Sequence, residues 1–170
     1  MERTDIITMN GNALTLLGEA VKVGDKARDF QLLDVELASK SLADFAGKIK
    51  VISVTPSLDT PVCDLQIHWF NEDAESQPGD VVILNVSADL PFAIKRFCAA
   101  GGIDRAIVLS DHRDVSFGLA FGILIKELRL LARSVFIIDK DNVIRYEQIV
   151  AEQSNEPNYS EAIRVLKTLI

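Results

Sequence analysis

The stretch Lys50-Val51-Ile52-Ser53-Val54-Thr55-Pro56-Ser57-Leu58-Asp59-Thr60-Pro61-Val62-Cys63 decides the fold. It opens as a short apolar run with β-branched residues, the pattern of a buried strand. Pro56 cannot donate to a strand ladder and ends that run. Thr60 is a favoured helix N-cap. Pro61 fits the first helical position, where a missing N–H costs nothing. The spacing predicts a helix from Thr60 to about Ser76, so a buried strand feeds a helix through a short turn.

The alternation continues downstream. Val81-Val82-Ile83-Leu84-Asn85-Val86 reads as a second buried strand, Pro91 to about Ala100 as a second helix, and Ala106-Ile107-Val108-Leu109 as a third, short strand. Gly101-Gly102 reads as the C-cap of the second helix. Residues Ser116 to Gly122 suit either helix or loop. Ser134–Ile138 and Val143–Ile149 flank Asp139-Lys140-Asp141-Asn142, a hairpin pattern, and Asn158 to Ile170 carries a helical stripe of Ala162, Val165, Leu166 and Leu169. Upstream, Phe30–Leu33 is a short candidate strand. Ile6–Met9 and Ala13–Leu16 flank Asn10-Gly11-Asn12, and Asn-Gly is a strong hairpin turn signal, so a hairpin is expected over about residues 5–17. Strand–helix–strand–helix, then a strand hairpin and a last helix, is the order of a thioredoxin-like α/β domain. It implies a mixed sheet flanked by helices, with the N-terminal β-hairpin added to it. The chain of 170 residues fits one such domain, 1–170.

The net charge is −7, from 18 basic and 25 acidic residues, with no Lys/Arg-rich run. That argues against nucleic acid as a partner, which needs a positive field. No stretch approaches the ~20 apolar residues of a membrane span, so no membrane partner is expected. Met1-Glu2-Arg3-Thr4-Asp5 lacks the basic-then-apolar order of a signal peptide, and a cytoplasmic protein is expected. A reducing compartment disfavours permanent disulfides and favours redox use of the two cysteines.

On this reading Cys63 is the third helical residue, near unpaired backbone N–H groups and the positive end of the helix dipole. Val62, Leu65, Trp69 and Phe70 are expected to face the sheet, leaving Cys63 facing the loop. A free thiol of pKa about 8.5 is only ~3% ionised at neutral pH. Ionising about 90% of it takes roughly 3.4 kcal/mol of preferential thiolate stabilisation. A helix terminus supplies ~0.3–1 kcal/mol, up to about 2 when partly buried. A second positive group is therefore needed, and an arginine within reach would supply it. Position alone leaves two readings open, a nucleophile or the buried, inert cysteine common in cores.

Pro56, Thr60 and Cys63 match the Pro-x-x-x-Thr/Ser-x-x-Cys signature of peroxiredoxins. The string from Ser53 to Cys63 resembles their bacterial thiol peroxidase branch. So do Ser87-Ala88-Asp89-Leu90-Pro91-Phe92-Ala93, Arg96-Phe97-Cys98, Leu130-Leu131-Ala132-Arg133 and Asn155-Glu156-Pro157-Asn158-Tyr159. The resemblance runs over nearly the whole chain. It implies a thiol peroxidase in which Cys63 is peroxidatic and Cys98 resolves it through an intramolecular disulfide. Thr60 would hydrogen-bond the sulfur and the peroxide, Pro56 would shield the pocket, and Arg133 would hold the thiolate. It also implies hydroperoxide substrates, with alkyl and lipid hydroperoxides favoured, recycling by thioredoxin and a homodimer. Two positions depart from the pattern: Arg28 stands where proline is usual, and Ser134 where alanine is common.

Cys98 falls late in the second helix. A disulfide needs Cα atoms within about 7 Å, so both helices are expected to unwind locally in each cycle. The sequence also leaves two rival functions: a disulfide oxidoreductase, disfavoured by the absence of Cys-x-x-Cys, and a redox-controlled binding protein. No cofactor or metal is expected, because His68 and His112 lack zinc-site spacing. His68 is expected on the exposed side of its helix. Asp59 and Glu72 read as solvated charges or caps.

Overall fold

A computed structural model describes residues 1–170. The chain begins as a hairpin of β1 (Glu2–Met9) and β2 (Asn12–Leu17). Asn10 and Gly11 form its two-residue turn, both at positive φ (50° and 77°), the conformation that makes Asn-Gly the preferred pair there. The first strand starts earlier than its sequence pattern suggests, because the pairing is irregular between Arg3 and Ile7 and alternation is lost there.

Two short strands follow, β3 (Leu32–Leu33) and β4 (Ser39–Lys40), then a 3-10 turn at Leu42–Phe45. The alternating part runs β5 (Ile49–Val54), α1 (Pro61–Ala74), β6 (Val81–Ser87), α2 (Pro91–Gly101), β7 (Ile107–Ser110). The ambiguous segment is a short helix, α3 (Ser116–Ala120), followed by β8 (Leu124–Ile125). The chain ends with β9 (Ser134–Ile138), β10 (Ile144–Ile149) and α4 (Tyr159–Lys167), whose N-cap Asn158 accepts from the Glu161 amide.

Seven strands form one mixed sheet in the order β10-β9-β5-β6-β7-β3-β4, and β8 joins the N-terminal hairpin in a separate three-stranded sheet. β5, β6 and β7 are parallel, and β9 runs antiparallel to β5. The period-2 alternation of the central strands splits their apolar side chains between two cores. Ile52, Val54, Leu84, Val86, Phe136 and Ile138 pack against Phe30, Phe117 and Phe121. Val51, Ile83, Val108, Val135 and Ile137 pack against α1, α2 and α4. Both faces are thus covered, which is why these strands read as continuous apolar runs rather than alternating ones.

The register of α1 differs from the expected one. Its buried face is Cys63, Gln66, Ile67, Phe70 and Asn71, while Leu65 is 56% exposed. Three of those five buried residues are Cys, Gln and Asn, and the amides are buried because each finds hydrogen-bond partners. Cys63 therefore faces inward rather than toward the loop, with no exposed surface at all.

Candidate active site

Cys63 enters the site as the third residue of α1, after Thr60 at the N-cap and Pro61 at the first helical position. Arg133 reaches it from the residue before β9. Arg133 is itself buried, and its Nη2 donates to Cys63 Sγ at 3.4 Å. The other two guanidinium nitrogens each have a partner. Nη1 donates to Gln66 Oε1 at 2.9 Å, and Nε donates to the Gln153 carbonyl at 2.9 Å. The Arg133 backbone N–H donates to Gln153 Oε1. This planar fork is held at three edges, which a lysine could not reproduce.

Gln66 and Gln153 extend the network inward. Gln66 Nε2 donates to Ser53 Oγ at 2.8 Å and to the Val54 carbonyl at 3.2 Å, and Asn85 Nδ2 donates to the same Ser53 hydroxyl at 3.2 Å. Gln153 Nε2 donates to the Val150 carbonyl at 2.6 Å. No buried polar side-chain atom in the chain lacks a partner, so the guanidinium sits in a fully satisfied network. Neither glutamine was singled out by the sequence pattern. Only the i, i+3 offset of Gln66 from Cys63 on one helix face hinted at it.

The loop before α1 is fixed by Asp89, from the loop before α2. Asp89 accepts from Ser57 Oγ at 2.9 Å, from the Leu58 amide at 2.8 Å and from Ser87 Oγ at 2.8 Å. Pro56 is buried at the base of that loop. Thr60 is exposed, and its hydroxyl donates to the Ser57 carbonyl at 3.3 Å. It makes no hydrogen bond to Cys63 Sγ and no side-chain capping bond. A cavity of about 230 Å³ opens over the site, lined by Met9, Asn10, Pro56, Thr60, Arg133 and Gln153 among others. Met9 and Asn10 come from the hairpin tip, which Glu152 clamps by accepting from Thr8 Oγ1 and from the Asn10 and Gly11 amides. A larger groove of about 730 Å³, along Trp69, Tyr159 and α4, contains none of the expected site residues.

Cys98 lies apart from this cluster. It is a free thiol, half-buried on α2, and burial pushes its pKa up to about 11. Gly102, at positive φ (69°), caps that helix as its sequence suggests. α1 packs on β5 and β6 and α2 on the neighbouring β7, so the two helices share one face of the sheet, but Cys98 makes no hydrogen bond to Cys63 or Arg133. His68 is not simply an outward-facing side chain. It is about one-third exposed, with Nδ1 2.9 Å from the Asp64 carbonyl and Nε2 3.0 Å from the Gly101 carbonyl of α2.

Of the two unusual positions, Arg28 bonds the Glu19 and Ala120 carbonyls, and Ser134 donates to the Ala132 carbonyl. Neither side chain bonds to Cys63. No group of three or more His, Cys, Asp and Glu side chains is placed to hold a metal, and no helix is long and apolar enough to cross a membrane.

A thiol buried at a helix start under a guanidinium, on a mixed sheet of thioredoxin type, belongs to cysteine redox chemistry without a Cys-x-x-Cys pair. Comparison with known proteins gives the class a family. A redoxin model matches residues 22–163. The chain is 54% identical to a thiol peroxidase of Bacillus subtilis strain 168 over 96% of this chain and 98% of the relative. It is 49% identical to a thiol peroxidase of Staphylococcus aureus strain COL, over 96% and 98%. A peroxiredoxin-like protein from Aquifex aeolicus superposes with a TM-score of 0.91 at 40% identity, covering 99% of this chain and 98% of the other. The chain belongs to the redoxin family, in the thiol peroxidase branch of the peroxiredoxins. It is a thiol-dependent peroxidase whose substrates are hydroperoxides and whose reductant is of the thioredoxin type.

Proposed function

We propose that Cys63 is the peroxidatic cysteine, that Cys98 resolves it within the same chain, and that Pro56, Thr60 and Arg133 complete the site. The observation that carries this reading is the 3.4 Å contact from Arg133 Nη2 to Cys63 Sγ, both buried. A guanidinium at that distance stabilises negative charge on sulfur, and low solvent access strengthens the attraction.

The Cys63 thiolate attacks the terminal peroxide oxygen. A sulfur–oxygen bond forms, the oxygen–oxygen bond breaks, and the departing oxygen takes a proton to leave as water or an alcohol. Arg133 and the first-turn amides of α1 stabilise the charge that develops on the oxygens. Thr60 lines the cavity and can turn its hydroxyl from the Ser57 carbonyl to an incoming peroxide. Cys63 is left as a sulfenic acid. The Cys98 thiolate then attacks that sulfur, the disulfide forms, and hydroxide leaves and is protonated to water.

Because the sulfur points toward Arg133 and Cys98 is half-buried late in α2, the first turn of α1 and the end of α2 open before the disulfide closes. A cavity of about 230 Å³ accommodates hydrogen peroxide or a short alkyl hydroperoxide, with a longer lipid chain running out of its mouth. Thioredoxin returns both cysteines to thiols. A homodimer in the cytoplasm completes the reading. Leu90 and Phe92, both well exposed at the start of α2, supply apolar surface of the kind protein contacts cover.

A peroxidase assay coupled to thioredoxin and its reductase tests the proposal. Cys63→Ser should abolish turnover. Cys98→Ser should consume one equivalent of peroxide and then stall. Full activity in Cys63→Ser, or sustained thioredoxin-coupled turnover in Cys98→Ser, would remove the corresponding assignment.

A further inference from the structure

His68 contacts carbonyl oxygens through both ring nitrogens. A carbonyl only accepts. A neutral imidazole has one N–H and can satisfy one of the two contacts. Only the imidazolium, with an N–H on each nitrogen, makes both. One contact is within α1, to the Asp64 carbonyl, one residue beyond Cys63. The other crosses to the Gly101 carbonyl, at the end of α2 and three residues past Cys98. The ring also packs edge-on against Phe97 of α2, centroids 6.2 Å apart. This side chain bridges the two segments that open for Cys63 and Cys98 to meet.

We propose that His68 is a positioning residue which latches the Cys63 helix to the end of the Cys98 helix and, in its imidazolium form, slows closure of the disulfide. The inference rests on the assignment of Cys98 as the resolving cysteine.

The surroundings favour the charged ring. The Asp64 carbonyl is the largest cause that raises its proton affinity, and the Gly101 carbonyl adds to it against the opposing effect of partial burial. On α1 the carboxylates of Asp64, with Oδ1 3.3 Å from Nδ1, and of Glu72 contribute in the same direction. From α2 the ring meets Phe97 and the Gly101 carbonyl, neither of them charged, and the nearby Cys98 thiol is neutral at pH 7. The ions just beyond, Asp104 and Arg105, pair with each other, and Arg105 also pairs with Glu75. Gly101 leaves room for the contact, since a Cβ there would stand 3.3 Å from the ring.

The consequence is chemical. While the latch holds, sulfenic acid on Cys63 waits, and a second peroxide can carry it to sulfinic acid. Lower pH should therefore prolong the sulfenate and raise over-oxidation.

Rapid mixing of the reduced full-length protein with hydrogen peroxide tests this, read by Trp69 fluorescence and by acid-quench mass spectrometry. Two phases are followed between about pH 5.5 and about pH 8.5: sulfenate formation and disulfide formation. Cys98 ionisation also varies with pH, so the rate of each variant is divided by wild type at each pH. His68→Ala should close the disulfide about tenfold faster than wild type at the acid end, with the ratio falling at least about threefold toward the alkaline end. His68→Gln, a neutral donor that cannot titrate, should show the same fall in its ratio to wild type. The two variants should run parallel to each other. Sulfenate formation should stay within about twofold of wild type throughout. A ratio that does not change with pH in either variant overturns the latch while leaving the disulfide assignment intact. Absence of a Cys63–Cys98 disulfide in wild type at every pH overturns that assignment and the latch with it.

Discussion

Replacing Gln66 by glutamate should cripple the reaction with peroxide while leaving the fold in place. Gln66 Oε1 already accepts from Arg133 Nη1 at 2.9 Å, so a glutamate oxygen can keep that bond and the side chain keeps its shape. What changes is charge, together with the loss of the Nε2 donor to the Val54 carbonyl, a loss that the Gln66→Met control shares. Residues three apart on a helix have Cβ atoms about 5–6 Å apart, and Gln66 shares the inner face of α1 with Cys63. Two unit negative charges ~6 Å apart in an effective dielectric of about 20 repel by about 2.8 kcal/mol. That is a factor of about 100 in the stability of a thiolate, or of any oxygen anion forming above it. The Arg133 charge would also be shared between two anions. The second-order rate constant for sulfenate formation, measured by rapid mixing between about pH 6 and about pH 8.5, should fall about 100-fold. Gln66→Met is the control. It leaves Arg133 Nη1 and the Ser53 hydroxyl short of a partner but adds no charge. Its rate should fall less than that of Gln66→Glu. A folded Gln66→Glu protein that reacts within about threefold of wild type would refute the view that net positive charge at the sulfur drives the reaction.

Three further outcomes follow. Asp89→Ala removes the acceptor of three hydrogen bonds that pin the loop before α1, so it should destabilise the protein by about 2–4 kcal/mol in chemical denaturation and slow the peroxide step as well. Asp111 is buried, with its carboxyl pushed up to about 6 chiefly by desolvation, despite accepting from the Phe117 and Gly118 amides. Its contribution to stability is complete below its ordinary value of 3.8 and is lost as pH rises through about 6; Asp111→Asn should lack that loss, so its unfolding free energy should gain on wild type between about pH 4 and about pH 7. In Cys63→Ser the remaining thiol, Cys98, held at about 11 by burial, should alkylate at about pH 8 at least a hundredfold more slowly than in the unfolded chain; equal rates would mean that the end of α2 is already open.

The start of α1 is legible from sequence because its signals are local. Thr60 and Pro61 announce a helix, and Cys63 follows by counting. The hairpin is legible for the same reason, from Asn10-Gly11. The buried face of α1 is not. Leu65 reads as core and is exposed, while Gln66 and Asn71 read as surface and are buried. Hydrophobicity ranks side chains by their cost of transfer from water, and an amide with every hydrogen bond satisfied escapes that cost. Arg133 is visible only through its family motif, because its contact with Cys63 joins residues 70 apart in sequence. Gln153 has no local signal at all. It matters because its carbonyl and side chain meet one arginine on both edges. Helical periodicity puts His68 on the outer side of α1, where it is about one-third exposed, but cannot show its partner, the Gly101 carbonyl at the end of α2.

The clamp on Arg133 has a consequence for how the protein is made. Cys63 leaves the ribosome well before the groups that equip it. Arg133 follows 70 residues later and Gln153 another 20. At roughly 5–20 residues per second, the interval lasts several seconds. Throughout it the nascent chain carries Cys63 without the guanidinium that faces its sulfur in the folded protein. On the proposed mechanism, reactivity toward peroxide arrives only when the segment holding Glu152 and Gln153 docks, since Gln153 holds Arg133 and Glu152 holds the hairpin tip. A chain stalled or truncated before that point is poorly equipped to oxidise itself. The late order of synthesis thereby guards a cysteine that has no disulfide or metal to protect it during folding.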